Sequence, residues 1–543
     1  MLQPENRSRK YDHLFTEIDT GRIKIPQFQR DFVWDKRQTA RLLDSLIKGF
    51  PIGTFIFWKT KEKLREVRDI GNISLPDTPE GEFVYYVLDG QQRITSLYAV
   101  RKGIRITREG KTVDYHDIVI DLDADPDSEE AVVHAAAPEG RTVISVYELL
   151  NGSLTSLLSR YTAEHLAKIE IYQNRLRGYD FSVIEISQYP IDIACEIFTR
   201  INTGGTELTL FEIMVAKTYD VKRGFDLAHE YEWLIDNNGA PEKDLEDAGF
   251  ETVPSSTVLQ AIAMNVGEGR VRRRDILRIS RDEFIDAWPV VKDGIFHAVD
   301  YIRSYQRIPV SRLLPYYALL VPLTYFFVQN DGQPPTPRQH KLLTQYFWWA
   351  ALSNRFSSAV ESKLYRDRQR MDAILREEAP DYRGEELSLT LDDLRWRWFS
   401  TGDAFSMAII CLYAWFQPRS FATDALVNLD NSWLKVANSR NYHHFFPKAW
   451  LRRQGFEEWQ ANSVLNIALV DDYLNKRKIR ARAPGDYMKE FAAQNPHLDD
   501  TMKSHLIDDL EGFGVWDNDY ERFIEMRGRR VLEELQKRLK PDL

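Results

Sequence analysis

The chain has 543 residues, 43% of them hydrophobic and 12% aromatic, with a formal net charge of −10 and two cysteines, Cys195 and Cys411. Length alone suggests about three or four domains, and the composition excludes a chain too polar to build cores. The acidic balance argues against a nucleic-acid coat protein while leaving room for a local basic face. Two distant cysteines argue against a disulfide scaffold, exclude a cysteine-rich structural zinc site, and fit a reducing compartment.

Residues 1–235 alternate strand and helix signals and predict an α+β domain. The N-terminal MLQPENRSRKYDH lacks an apolar signal core. GRIKIP (21–26) and GTFIFWKT (53–60) read as strands. Between them DKRQTARLLDSLIKGF places Leu42, Leu43, Leu46 and Ile47 on one helical face, with Gly49 near its end. FVYYVL (83–88) lacks alternation, as a strand covered on both faces would. HDIVIDLD and FSVIEIS are further strands. Helices follow at IDIACEIFTRIN and TLFEIMVAKTYD, the second opening with Thr209 and Glu212 at capping-box spacing.

Residues 236–430 turn helical, with tryptophans and tyrosines on apolar faces, and predict a helical middle region. The most membrane-like stretch, LLPYYALLVPLTYFFV (313–328), contains Pro315 and Pro322 and falls short of the roughly 20 residues that span a bilayer. It predicts a buried helix pair, and the whole chain a cytoplasmic protein with no membrane partner. NDGQPPTPRQ (330–339) reads as a loop. The aromatic run QYFWWAALSNRF could stack bases, but helix-spaced aromatics are more often core.

Residues 431–543 change character again. Within 435–482 ten Lys/Arg face four acids, a local +6 in a protein of −10. Phosphate binding requires such a segment, although a charge run alone is more often a solvated surface.

Two motifs carry chemistry. In the first, a strand ends at Asp89, Gly90 permits a sharp turn, and a helix opens with Gln91, Gln92 and Arg93. Free N–H groups and the positive dipole end at such a terminus suit phosphates. Arg93 could grip one bidentately. Asp89 could orient Arg93, bind a ribose hydroxyl or approach a phosphate-bound Mg2+. IPQFQRDFVW adds Gln29 and Arg30, and IFTRINTGGTELT adds Asn202, Thr203, Gly204 and Gly205.

PQFQRDFVW, PIGTFIFW, LDGQQRITSL and IFTRINTGGTELT, in this order, resemble the N-terminal domain of GmrSD-type restriction proteins, itself similar to the ParB and sulfiredoxin fold. The resemblance covers about the first 220 residues. It implies binding and hydrolysis of a nucleoside triphosphate (GTP, ATP or UTP undistinguished), coupled to sensing modified DNA. Asp89, Gly90, Gln91, Gln92 and Arg93 would then be phosphate-site residues, with Gln29 and Arg30 in the same pocket.

The second motif is SRNYHHFFPKAWLRRQG, followed by NSVLNIALVDDYLNKRKIRAR. A histidine pair at a strand end, an asparagine-bearing strand and a helix with a second asparagine make a candidate ββα metal site. Histidine suits water activation near neutral pH, and a hard cation takes oxygen ligands. The pattern resembles the HNH-like nuclease domain of the same restriction family. By that resemblance His444 is the general base, while Asn475 and His443 would ligate Mg2+ or Mn2+. Asn466 would hold the loop that orients His444, with Asn462 a further element of the pattern. Lys448, Lys476, Arg477 and Lys478 would contact DNA. Many such nucleases carry aspartate where His443 stands, and imidazole favours softer metals.

The leading expectation is an anti-phage endonuclease, related to GmrSD and SspE proteins, acting on modified DNA; a homodimer is left open. The competing expectation is a nucleotide-switched, ParB-like DNA clamp without nuclease activity, in which RVRRRDILRISR (270–281) and NKRKIRAR make phosphate contacts only.

Overall fold

The computed structural model describes residues 3–26, 34–61, 64, 66–67, 69–70, 73–79, 81–108, 111–125, 131–187, 189–201, 209–220, 222–431, 434, 442–470 and 479–540. The chain divides into two compact units, Met1–Gly224 and Phe225–Leu543. The first boundary falls eleven residues before the expected 235, and the segments expected as 236–430 and 431–543 lie together in the second unit.

In the first unit the elements are β1 (Glu5–Lys10), α1 (Tyr11–Asp19), β2 (Ile23–Pro26), α2 (Lys36–Ile47), β3 (Phe55–Thr60), β4 (Glu66–Val67), β5 (Val84–Asp89), α3 (Gln91–Lys102), α4 (Ala163–Arg177), β6 (Asp180–Ser187) and α5 (Leu210–Thr218). The mixed sheet runs β1-β6-β3-β5-β2-β4. β6 and β3 pair in parallel, as do β5 and β2, while β3 and β5 are antiparallel with a bulge at Ile56/Phe57. Tyr86, Val87 and Leu88 are all buried, which two covered faces require. On one face Leu43, Leu46 and Ile47 of α2 join Leu14, Phe15 and Ile18 of α1, Ile94 and Leu97 of α3, and Phe55, Phe57 and Val87 of the sheet. Asp35 and Gln38 close a capping box at the start of α2, and Thr209 and Glu212 close another at α5. The expected strand around 116–123 is Val119–Asp121, the centre of a separate three-stranded sheet.

The second unit is mostly helical: α6 (Arg281–Ser304), α7 (Leu320–Gln329), α8 (Pro337–Leu352), α9 (Val360–Leu375), α10 (Ala404–Trp415), α11 (Lys448–Arg453) and α12 (Tyr520–Leu539), with the short strands β7 (Tyr442–His444) and β8 (Ile467–Leu469). Residues 313–328 do not form a helix pair. They form short 3-10 turns and then α7, because Pro322 falls in the first turn of α7, where its missing N–H is not needed. The loop at 330–339 is likewise shorter than expected: Thr336 caps α8 in a capping box with Gln339, and Pro337 takes its first position. Tyr346, Phe347, Trp348 and Trp349 are core. Beneath Trp349, Arg355 and Arg370 pair with the buried Asp367. Among the described residues no helix is long and apolar enough to cross a membrane.

Candidate functional site

The β5–α3 turn has the expected backbone. Gly90 sits at φ +94°, and a Cβ there would lie 2.2 Å from Phe55 Cδ1, so both conformation and space call for glycine. Gln91 and Gln92 are buried, and Gln92 Oε1 accepts from the Trp34 N–H at 3.3 Å. Arg93 is turned onto the protein: Nη1 donates to Ile52 O (2.6 Å), and Nη2 to Thr54 O (3.0 Å) and Asp89 Oδ2 (3.1 Å). Its guanidinium lies over Phe55 at 5.0 Å. Of the three roles open to Asp89, orienting Arg93 is the one this geometry displays. Gln29, Arg30, Asn202, Thr203, Gly204 and Gly205 lie outside the described residues.

In the second unit β7 and β8 pair antiparallel, with His443 opposite Ala468 and His444 opposite Ile467. Phe445 and Phe446 follow the histidines into the core, each about 5 Å from the Phe523 ring of α12. Pro447 then caps α11. Asn466 stands in a 3-10 turn just before β8 rather than within a strand. Its buried amide bridges the two arms: Oδ1 accepts from Phe446 N (2.8 Å), and Nδ2 donates to Phe446 O and Ala461 O, both at 2.9 Å.

His444 itself is held by Asn462, whose Oδ1 lies 2.9 Å from Nε2. Asn462 Nδ2 donates to Phe399 O (2.9 Å), while Phe399 N donates to Asn462 O (2.9 Å). The Nδ2 bond fixes the side-chain amide, since flipping it would set Oδ1 against the Phe399 carbonyl oxygen, and the backbone bond holds the two segments in register. Since Oδ1 has no proton, Nε2 must carry one and donate, which leaves Nδ1 as the basic nitrogen. Nδ1 takes no hydrogen bond among the described residues, and His444 keeps partial exposure. Burial lowers its pKa to about 4; Asn462 opposes this, and Lys448 adds to it. The ring is therefore neutral at pH 7. Among the site asparagines, Asn462 is the imidazole's partner; its spacing from Asn466 was visible in the sequence, its direct contact was not.

Lys448 is not a free cation: Nζ donates to Glu458 Oε1 (2.9 Å), and Arg452 approaches the same carboxylate at 3.3 Å. Asn475, Lys476, Arg477 and Lys478 lie outside the described residues. Among the described residues no three His, Cys, Asp or Glu side chains converge on a metal position. The carbonyl oxygens of Asn462 and Asn466 are already engaged.

Behind this ribbon, Arg527 of α12 is fully buried. Nη1 donates to Leu465 O (2.6 Å) and Ile467 O (2.7 Å), on either side of Asn466, and Nε and Nη2 reach His505 O.

Residues 11–219 match the family model of the GmrSD restriction endonuclease, N-terminal domain. That GmrSD match takes in β2, β3, the β5–α3 turn and α5, and ends just short of the first unit's boundary at Gly224. Over nearly the whole chain, the uncharacterized protein MJ0686 of Methanocaldococcus jannaschii is 23% identical across 581 residues, spanning 95% of this chain and 96% of its own.

Proposed function

We propose that the protein is a restriction-type nuclease that cuts DNA, with His444 as the general base. The observation that carries this reading is the fixed imidazole: Asn462, clamped on Phe399, holds Nε2–H and leaves Nδ1 unprotonated, on a residue that keeps partial exposure. Such a nitrogen can take the proton of a water attacking a phosphodiester. The match of residues 11–219 to a restriction endonuclease domain supplies the substrate class. Asn466 and Arg527 hold the ribbon rigid, so that base and attacking water are presented in one geometry.

A divalent cation, Mg2+ or Mn2+, would supply charge stabilisation at the phosphate, with His443 and Asn475 its expected ligands. Asn475 lies outside the described residues, so these do not complete that set. The first unit is proposed to bind a nucleoside triphosphate at the N-terminus of α3 and to report DNA modification, Arg93 acting there by holding the 52–54 loop. The defence role against phage, the cytoplasmic setting and the kinship to ParB-like folds belong to the same proposal.

The test is plasmid cleavage by wild type and His444→Ala, on modified and unmodified DNA, with Mg2+ or Mn2+, and with each common triphosphate or none. Cutting by wild type alone supports the proposal. If wild type and variant bind DNA alike and neither cuts under any condition, the nuclease reading is lost and a nucleotide-switched clamp replaces it.

A further inference from the structure

Twelve tryptophans lie among the described residues, and two of them, Trp398 and Trp459, are exposed, at 47% and 50%. Both border the His444 site. Trp398 precedes Phe399, the clamp on Asn462, and forms a β-bridge with Ser463. Lys448 Nζ lies 5.7 Å from the Trp398 ring. Trp459 follows Glu458, the acceptor shared by Lys448 and Arg452, and its ring rests edge-on against Trp396 at 5.6 Å. Arg452 is largely exposed, and Arg453 is exposed beside it.

An exposed indole offers a nucleobase its π face, and a neighbouring cation takes the phosphate that follows. In a duplex the base faces are covered by their neighbours, so an indole platform favours a strand whose bases are open. Charge decides against an apolar protein partner: Lys448, Arg452 and Arg453 accompany the two rings, with Glu458 lying between two of the cations where a phosphate could replace it. We propose that Trp398 and Trp459 are stacking platforms for bases of an unpaired DNA strand presented to His444, its phosphates held by Lys448 and Arg452. The inference rests on the reading of His444 as the base of a nuclease and adds the form of its substrate.

The test titrates full-length protein with labelled oligothymidine and with a duplex of equal length, reading tryptophan fluorescence and anisotropy. Oligothymidine is expected to quench the fluorescence and to bind about tenfold or more tighter than the duplex. Trp398→Ala and Trp459→Ala should each weaken single-strand binding about tenfold, while Trp398→Phe and Trp459→Phe keep most of it. Duplex bound as tightly as single strand, or alanine variants that bind like wild type, overturns the proposal. Loss of a concentration-dependent dimer in those variants, with DNA binding intact, assigns the indoles to a protein interface and overturns it too. The nuclease reading is judged separately: His444→Ala should bind oligothymidine like wild type without cutting, and if it cuts normally that reading fails whatever the stacking result.

Discussion

Asn462 holds His444 at 2.9 Å while the backbone of Phe399 grips Asn462 from both ends. Removing that amide frees the ring to rotate and to exchange tautomers. Asn462→Ala should lower the cleavage rate by about tenfold to a thousandfold while leaving DNA affinity nearly unchanged. Asn462→Asp should instead raise the His444 pKa from about 4, since a carboxylate favours imidazolium. The acid limb of the pH–rate profile should move up by about one unit or more; an unmoved limb would separate Asn462 from the base.

His505 gives a pH dependence of stability. It is buried, its Nε2–H donates to Arg419 O at 2.8 Å, and burial lowers its pKa from 6.5 to about 4, with Arg527 adding to the effect. The folded state holds the ring neutral while the unfolded chain protonates it near 6.5. The stabilisation is thus fully present above 6.5 and is lost as pH falls toward 4. Thermal melts should show Tm falling across that window, more gently in His505→Gln, which keeps the donor and removes the titration. Parallel pH curves for the two proteins would reject the assignment.

Gly90→Ala meets both a left-handed backbone and the Phe55 ring. It should destabilise the first unit by roughly 3 kcal/mol or more. Urea denaturation followed through that unit checks this, and a loss under about 1 kcal/mol would mean the turn relaxes easily.

Arg93→Ala should cost stability even without nucleotide, because it leaves the Ile52 and Thr54 carbonyls without their donor. A loss of about 2–3 kcal/mol is expected. Arg93→Lys should recover only part of it, since an ammonium cannot reproduce the planar fork. Triphosphate binding measured on the folded variants then separates positioning from contact. If Arg93→Ala is as stable as wild type, the loop-holding role is wrong.

Much of the first unit was legible because its signals are local. Leu42, Leu43, Leu46 and Ile47 announce one face of α2 by period alone, and Asp89-Gly90 announces the strand end and turn. What could not be read depends on remote backbone. Arg93 points where it does because folding brings the Ile52 and Thr54 carbonyls within reach, some forty residues upstream. The division of labour between Asn462 and Asn466 turns on which carbonyls each meets, and both residues look alike in the sequence. The helix pair expected over 313–328 is a single helix because Pro322 falls in its first turn, where a proline breaks nothing. Trp398 and Trp459 were indistinguishable from the ten described tryptophans that are not exposed, since exposure is a property of the packed unit.

Arg527 has a consequence for the order in which the ribbon becomes competent. It is the side chain that joins the carbonyls flanking Asn466, and it comes from a helix made after every other part of the ribbon. A nascent chain leaving the ribosome carries its histidine pair more than eighty residues ahead of that brace. Until residue 527 has emerged, the ribbon lacks its central stay, and the proposed cleavage site waits on the last long helix for its brace.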